Sequence, residues 1–334
     1  MATHYLYGTV LTSEAVAANN RGDNIGNTTT LQKVFHQDDL HTSVSAEAIR
    51  FALRYRFQLE GLSINRTYDP EAGKLNYDDE KRKNWNPNGD VFVDDDLMGF
   101  MDAVAAQQER EEEEIEAVVG EEPKPALAKS SKKKTKGTTT KRPSPLAIGR
   151  AVSLRPYRGE ISFNAVSGEK AKGKLSLYSA EMHTTEYQYS FGLNLGDVID
   201  KRNIGYVIDA ILDPPQVAGN HARFAYDFSP ASIVLRVTNA HSSKIQNCFE
   251  HDEESRGYTV KRLIERVESK DIPVDELFIG GEVTNTPEGA RLKELGAEVF
   301  AGVRAAADGA RARVAGLHDE FKAVMPGNGT GNGG

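Results

Sequence analysis

Three consecutive carboxylates, Asp94-Asp95-Asp96, precede Leu97-Met98-Gly99-Phe100. Clustered carboxylates can hold Mg²⁺ for phosphoryl transfer. Aspartates at a helix start also stabilise the positive end of the helix dipole, and the spacing alone serves both readings. A second set is polar and cationic: Asn19, Asn20, Arg21, Asn24 and Asn27, with Gly22 and Gly26. Amide side chains and flexible backbone donate to phosphate oxygens, and a guanidinium does so through two parallel N–H groups; the alternative is an ordinary surface loop. A third set is the hydroxyl-rich helix start at Ser43 and Ser45, whose unpaired N–H groups make either a capped end or an anion site. Arg50 and Arg54 follow, four apart on one helical face. They are either anion ligands or a solvated stripe paired with Glu47. His36, His41, His183, His221, His241 and His251 show no metal-ligand spacing. The single cysteine, Cys248, excludes an internal disulfide and a multi-cysteine zinc cage. No metal or cofactor is expected.

The elements that must position these residues follow from periodicity. Residues 4–17 read as a strand and 43–59 as a helix with the apolar line Ile49, Leu53, Phe57. Strands are expected at about 158–165 and 186–195. In the second, Tyr187, Tyr189, Phe191, Leu193 and Leu195 alternate with Gln188, Ser190, Gly192 and Asn194. Ile204, Val207, Ile208 and Ile211 predict a helix over 203–213, stopped by Pro214-Pro215. A β-branched run predicts a strand at 232–239. The order βαββαβ is that of an α+β, ferredoxin-like or RNA-recognition-motif fold with long insertions. In such a sheet the helices pack on one face and the other stays exposed. Thr286-Pro287-Glu288 predicts a helix start, with a long alanine-rich helix running on towards Phe321. Gly302, Gly309 and Gly316 recur every seven residues along it, which predicts close helix packing.

The chain of 334 residues carries a formal charge of −8, which argues against a nucleic-acid partner until its distribution is considered. Residues 107–128 hold eight glutamates against Arg110 and Lys124, so the remainder is close to neutral. Residues 129–142 hold seven Lys and Arg. Opposed charge blocks with few apolar residues cannot offset the entropy of ordering, so 107–142 reads as a disordered insertion and 327–334 as a disordered tail. No apolar run approaches the roughly 20 residues needed to span a bilayer, and no basic-then-apolar leader is evident. A cytoplasmic protein without a membrane partner is expected.

Ser43-Val44-Ser45-Ala46-Glu47-Ala48-Ile49-Arg50-Phe51-Ala52-Leu53-Arg54, after a strand and a polar loop, resembles the Cas seven family in its DevR autoregulator branch. Three further stretches resemble the same branch: Asp94 to Met101, Pro143 to Leu154, and Val217-Ala218-Gly219-Asn220-His221-Ala222-Arg223. Together they span residues 4 to about 285.

The resemblance implies the non-catalytic backbone subunit of type I-B-like CRISPR Cascade surveillance complexes, shaped like a hand. A palm covers residues 1–285, fingers are inserted at about 62–145 and a thumb hairpin at about 155–187; a C-terminal helical region covers 286–326. Copies stack into a helical filament along a guide RNA (crRNA), and base pairing of that guide to target DNA supplies specificity. The implied RNA-binding residues are Asn19, Asn20, Arg21, Ser43, Ser45, Arg50 and Arg54. A second implied contact is Gly219, Asn220, His221 and Arg223, where glycine permits close backbone approach; a plain helix-to-strand turn is the alternative. Thumb candidates are Lys170 and Lys172, with Met182 or His183 as the wedge between bases. Expected partners are the crRNA, target DNA, further copies of the chain and other Cascade subunits, with the basic segment 129–142 as a candidate DNA contact. The competing class is an enzyme, a metal-dependent ribonuclease of the type III-like kind using Asp94–Asp96. A DNA-binding autoregulator finds no helix-turn-helix pattern to support it.

Overall fold

In a computed structural model the described residues are 3–18, 24–25, 28–36, 38–101, 141–165, 177–217, 226–252 and 257–325. Loop residues Asn19, Asn20, Arg21, Gly219, Asn220, His221 and Arg223, thumb residues Lys170 and Lys172, most of the charged insertion and the tail 327–334 lie outside them.

The chain begins with β1 (Tyr5–Thr12) and β2 (Ala15–Ala17), then β3 (Lys33–His36) and β4 (Asp39–Val44). Helix α1 (Ala46–Leu59) starts where the Ser45 hydroxyl accepts from Ala48 N at 3.2 Å, a cap worth about 0.5–2 kcal/mol. It ends at Gly61, whose φ of +69° a side chain would strain. A hairpin β5 (Arg66–Asp69) and β6 (Lys74–Tyr77) and the short helix α2 (Val93–Met98) follow. The chain returns through β7 (Leu146–Ile148) and β8 (Ala151–Ser153), then a hairpin of β9 (Glu160–Ala165) and β10 (Leu177–Thr185). Next come β11 (Tyr187–Asn194), α3 (Arg202–Leu212), β12 (Pro230–Thr238) and α4 (Lys261–Glu268). The last elements are β13 (Leu277–Gly281), α5 (Pro287–Leu295), β14 (Glu298–Phe300) and α6 (Val303–Ala315).

One nine-stranded sheet organises the molecule in the order β14-β13-β12-β1-β11-β8-β4-β3, with β7 also paired to β11. Side chains alternate between its faces, as the pleat requires. Leu6 and Val10 of β1, Tyr187, Tyr189 and Phe191 of β11, and Ile233 and Leu235 of β12 point to one core. That core is closed by Ile49, Leu53 and Phe57 of α1, Ile204, Val207 and Ile211 of α3, and Ala306, Ala310 and Val314 of α6. Gly8 is required where β1 crosses this core, because a Cβ there would overlap the Phe191 ring.

Five expectations are corrected. The strand near 158–165 is not a member of the main sheet: β9 pairs with β10 in a separate hairpin, and β7 with β8 take the place beside β11. Each of these is only three residues long, and the register against β11 slips by one between Ile148↔Phe191 and Val152↔Gln188, so no period builds up in the sequence. The second sheet face is not open. Leu11, Val234, Leu277 and Ile279 bury against Ile245, Phe249, Val260, Leu263 and Val267, with Leu292 of α5. The C-terminal helix is broken into α5, β14 and α6, and all three join the main sheet or its cores. Gly302 and Gly316 flank α6; only Gly309 is packed, 2.8 Å from Phe300 Cζ if given a Cβ. The described end of the charged insertion is also ordered, Lys141–Arg142 pairing with Phe100–Met101.

Candidate nucleic-acid interface

The Asp94–Asp96 cluster is wholly buried, each residue 0% exposed. Asp94 accepts from Asn65 N at 2.7 Å and Arg66 Nε at 2.9 Å, and pairs with Arg54 Nε at 3.4 Å. Asp95 accepts from Arg66 Nη2 at 3.1 Å and Asn65 Nδ2 at 2.8 Å, and pairs with Arg82 Nε at 3.0 Å. Asp96 accepts from Arg142 Nη2 at 2.5 Å, Ile199 N at 3.0 Å, Asp200 N at 3.1 Å and Asn203 Nδ2 at 2.8 Å. Burial, then the neighbouring Asp94 charge, pushes the Asp95 carboxyl above the ordinary range.

The helix-start reading holds in part, since all three aspartates lie in the first turn of α2, where they complement the helix dipole. The helix α2 has Phe92 at its cap with no side-chain cap bond, and the carboxylates point instead at five other segments. The donors occupy the oxygens that a Mg²⁺ ion would need, and no group of His, Cys, Asp or Glu among the described residues is arranged for a metal. The cluster is a buried hub that ties the insertion to α1 and to the entrance of α3. Arg66, Arg82, Arg142 and Asn203 were missed by sequence reasoning because no local signal links residues so far apart.

The two arginines of α1 serve the same hub region. Arg54 is 12% exposed, and burial followed by the nearby Arg66 charge lowers it to about 10. Arg50 donates to Leu146 O at 3.0 Å and Met98 O at 2.7 Å. Both expected phosphate ligands are thus engaged with internal partners, because the helical face they share is the one the insertion packs against. Ser45 caps α1, and Ser43 is buried. Ser43 Oγ does accept from Arg150 Nη1 at 3.2 Å. Arg150 is exposed and, among the described residues, has no carboxylate partner. It sits at the register slip between β7 and β8, where an irregular strand re-aims a side chain.

Three segments meet at β10. Ala17, just before the first polar loop, pairs with His183 of β10, and Thr28, just after it, pairs with Ser179 of the same strand. Tyr226, just after the second loop, donates its hydroxyl to Thr185 O at 3.0 Å and contacts Thr12 Oγ1 at 2.8 Å. His183 and Thr185 are about 7 Å apart along the strand, so flanks of both loops and the stem of the β9–β10 hairpin share one junction. Thr42, next to Ser43, reaches the same place through a 2.8 Å contact between its hydroxyl and His183 Nδ1.

Met182 is half-buried in β10. His183 is 5% exposed, with its ring edge-on to Tyr157, and burial lowers it to about 4. A neutral, enclosed imidazole holds the junction together and is not presented as a wedge. Cys248 is buried and its thiol is pushed up to about 12 by burial, which removes it from nucleophilic chemistry at neutral pH. Among the described residues no helix is long and apolar enough to cross a membrane.

The comparisons with known proteins agree with one another. Residues 9–266 match the family model "CRISPR-associated negative auto-regulator DevR/Csa2". A Myxococcus xanthus (strain DK1622) protein described as "CRISPR-associated protein Cas7/Cst2/DevR" is 36% identical over 312 residues, covering 90% of this chain and 95% of the relative. Two solved structures share the fold. A chain of a "CRISPR RNA-guided surveillance complex, pre-nicking" superposes with a TM-score of 0.56 at 13% identity, over 91% of this chain and 98% of that one. A chain of a "CRISPR RNA-guided surveillance complex" gives 0.52 at 15%, over 91% and 97%. With over three-quarters of its length inside the family match and a relative aligned nearly end to end, the chain belongs to the DevR/Csa2 family of CRISPR-associated proteins.

Proposed function

We propose that the chain is a non-catalytic backbone subunit that grips the sugar-phosphate chain of a guide RNA in a CRISPR surveillance complex of the cytoplasm. Copies stack along the guide in a filament with other Cascade subunits, and the guide's bases stay free to pair with target DNA. The observation that carries this reading is the junction at His183–Thr185, where flanks of both polar loops and the hairpin stem come together. Asn19, Asn20, Arg21, Gly219, Asn220, His221 and Arg223 belong to those loops and are the proposed backbone contacts, joined by Arg150, which lies between β7 and β8 and donates to Ser43 Oγ.

Two features of the fold favour a grip on backbone over a reading of bases. The core elements β1, α1, β7 with β8, β11, α3 and β12 have the spatial order fourth, first, third, second in their strands, which supports an RNA-recognition-motif-like palm. The face on which such a palm stacks bases is covered here by α4, α5 and the segment around Ile245 and Phe249. The β9–β10 hairpin supports the thumb assignment. The saturated Asp94–Asp96 hub favours this reading over a ribonuclease that would use those carboxylates.

Purification of the full chain tests the proposal. Co-purifying nucleic acid of uniform length, sensitive to RNase and resistant to DNase, is expected, with particles larger than one chain. Protein free of nucleic acid that fails to bind added guide RNA at low salt would overturn it.

A further inference from the structure

Of the proposed backbone contacts, Arg150 alone lies among the described residues, and its surroundings decide how it can act. Its backbone is pinned on both sides. Gly149 N donates to Ser190 O at 2.8 Å, and Ala151 pairs with Val44 of β4. The side chain is exposed, yet one arm of the guanidinium is held. Arg150 Nη1 donates to Gln32 Oε1 at 3.3 Å and to Ser43 Oγ at 3.2 Å. A guanidinium only donates, so the Gln32 amide must turn its oxygen towards Arg150.

The two acceptors are themselves fixed. Ser43 is 1% exposed, pairs with Val152 of β8, and donates its N–H to Gln32 O at 2.8 Å. Gln32 therefore stands opposite Ser43, one position before the Lys33↔Thr42 pair of β3 and β4, and the two side chains share a face. Together they take both hydrogens of Nη1. The Nε and Nη2 groups make no hydrogen bond to any described residue and form the edge left over. That edge carries two parallel N–H groups, the geometry that meets two oxygens of one phosphate. No described carboxylate pairs with Arg150. Asp39 stands four residues from Ser43 along β4, about 13 Å, and Glu47 acts on Arg50 of its own helix.

We propose that Gln32 and Ser43 are positioning residues: they clamp Nη1 of Arg150 so that its Nε–Nη2 edge is presented, already ordered, to one phosphodiester of the bound RNA. This inference rests on the backbone-grip reading, and it gives Ser43 a part other than the direct RNA contact expected of it. An unclamped arginine would lose its side-chain freedom on binding, whereas the clamp fixes the rotamer beforehand. Attraction alone would need only a point charge; a clamped edge needs arginine.

Anisotropy titration of the full chain with a guide-length RNA, at two salt concentrations, tests the clamp. Gln32→Met should weaken binding about two- to tenfold, the span of one hydrogen bond. Arg150→Lys keeps the charge and loses the edge, so it should weaken binding while the salt slope stays that of the parent. In the Arg150→Ala chain, Gln32→Met should have no further effect, because nothing remains to position. A merely structural role for Gln32 would add the same loss in both backgrounds. The Ser43 hydroxyl is isolated by two variants of one shape: Ser43→Thr should bind more tightly than Ser43→Val. Should those buried variants not fold, the Gln32 and Arg150 cycle still decides. No loss in Gln32→Met, additive losses at the two positions, or full affinity in Arg150→Lys would overturn the clamp and leave the backbone grip standing. A parent chain that binds no RNA at all would overturn the backbone-grip reading, and the clamp with it.

Discussion

The Asp94–Asp96 hub and the junction at His183–Thr185 are opposites in how they use polar groups. At the hub, charge is dense and every carboxylate is satisfied by at least three donors or ion-pair partners, so nothing is left for a ligand. Around the junction the carboxylates are also engaged, Glu181 by Lys33 and Glu186 by Arg155, but Arg150 lies exposed with no carboxylate partner among the described residues and both polar loops have a flank at the junction. Residue type shows what chemistry is possible. Partner saturation decides which of those residues is free to perform it.

The largest test of this contrast is at the hub. Asp95→Ala leaves the buried Arg82 without a counter-charge and Arg66 with Asp94 alone, and the expected loss is about 3–5 kcal/mol in equilibrium denaturation. A loss below about 1 kcal/mol would mean the hub is not a closed structural unit.

Next in size is a pH effect at the junction. Burial holds His183 at about 4 in the folded chain, against an ordinary value near 6.5. The unfolded chain therefore takes up a proton between those values that the folded chain refuses. Stability from this group is complete above pH 6.5 and falls as the pH drops towards 4, by about 3 kcal/mol at the end of that window. His41, lowered in the same direction, adds to the slope. Denaturation midpoints from pH 7 to 4, compared with those of His183→Gln, isolate the contribution. Parallel profiles for the two proteins would contradict the enclosed, neutral imidazole.

The smallest expected effect separates two arginines. Arg150→Ala should change stability by no more than about 0.5 kcal/mol while lowering RNA affinity and reducing the salt slope by about 0.7. Arg54→Ala should do the reverse, destabilising the chain and leaving the salt slope of its folded fraction unchanged. Equal salt slopes for Arg150→Ala and the parent protein would remove Arg150 from the interface.

Long periodic elements were legible before the structure. The alternation from Tyr187 to Leu195 and the helical spacing of Ile204 to Ile211 appear as β11 and α3, because a fully buried face imposes its period over several repeats. β7 and β8 were not legible, being three residues each on either side of a register slip. Part of the cover over the second face was legible, Val260, Leu263, Ile264 and Val267 at helical spacing marking α4, while Ile245 and Phe249 were missed because they lie in an irregular segment without a period. Asp94–Asp96 was recognised as chemically capable, but its partners run from Arg54 to Asn203, a pattern only folding brings together. Arg150 carried no local signal at all; its significance comes from the neighbouring Ser43 and from the absence of an acidic partner among the described residues.

Photocrosslinking of a bound guide-length RNA to the full chain, with the attached peptides identified by mass spectrometry, tests the central claim most directly. The account predicts crosslinks concentrated in peptides containing residues 19–23, 218–225 and Arg150, at similar yield for RNAs of unrelated sequence. Crosslinks confined to the α4–α5 side, or a pattern that changes with RNA sequence, would contradict a backbone grip at the His183–Thr185 junction.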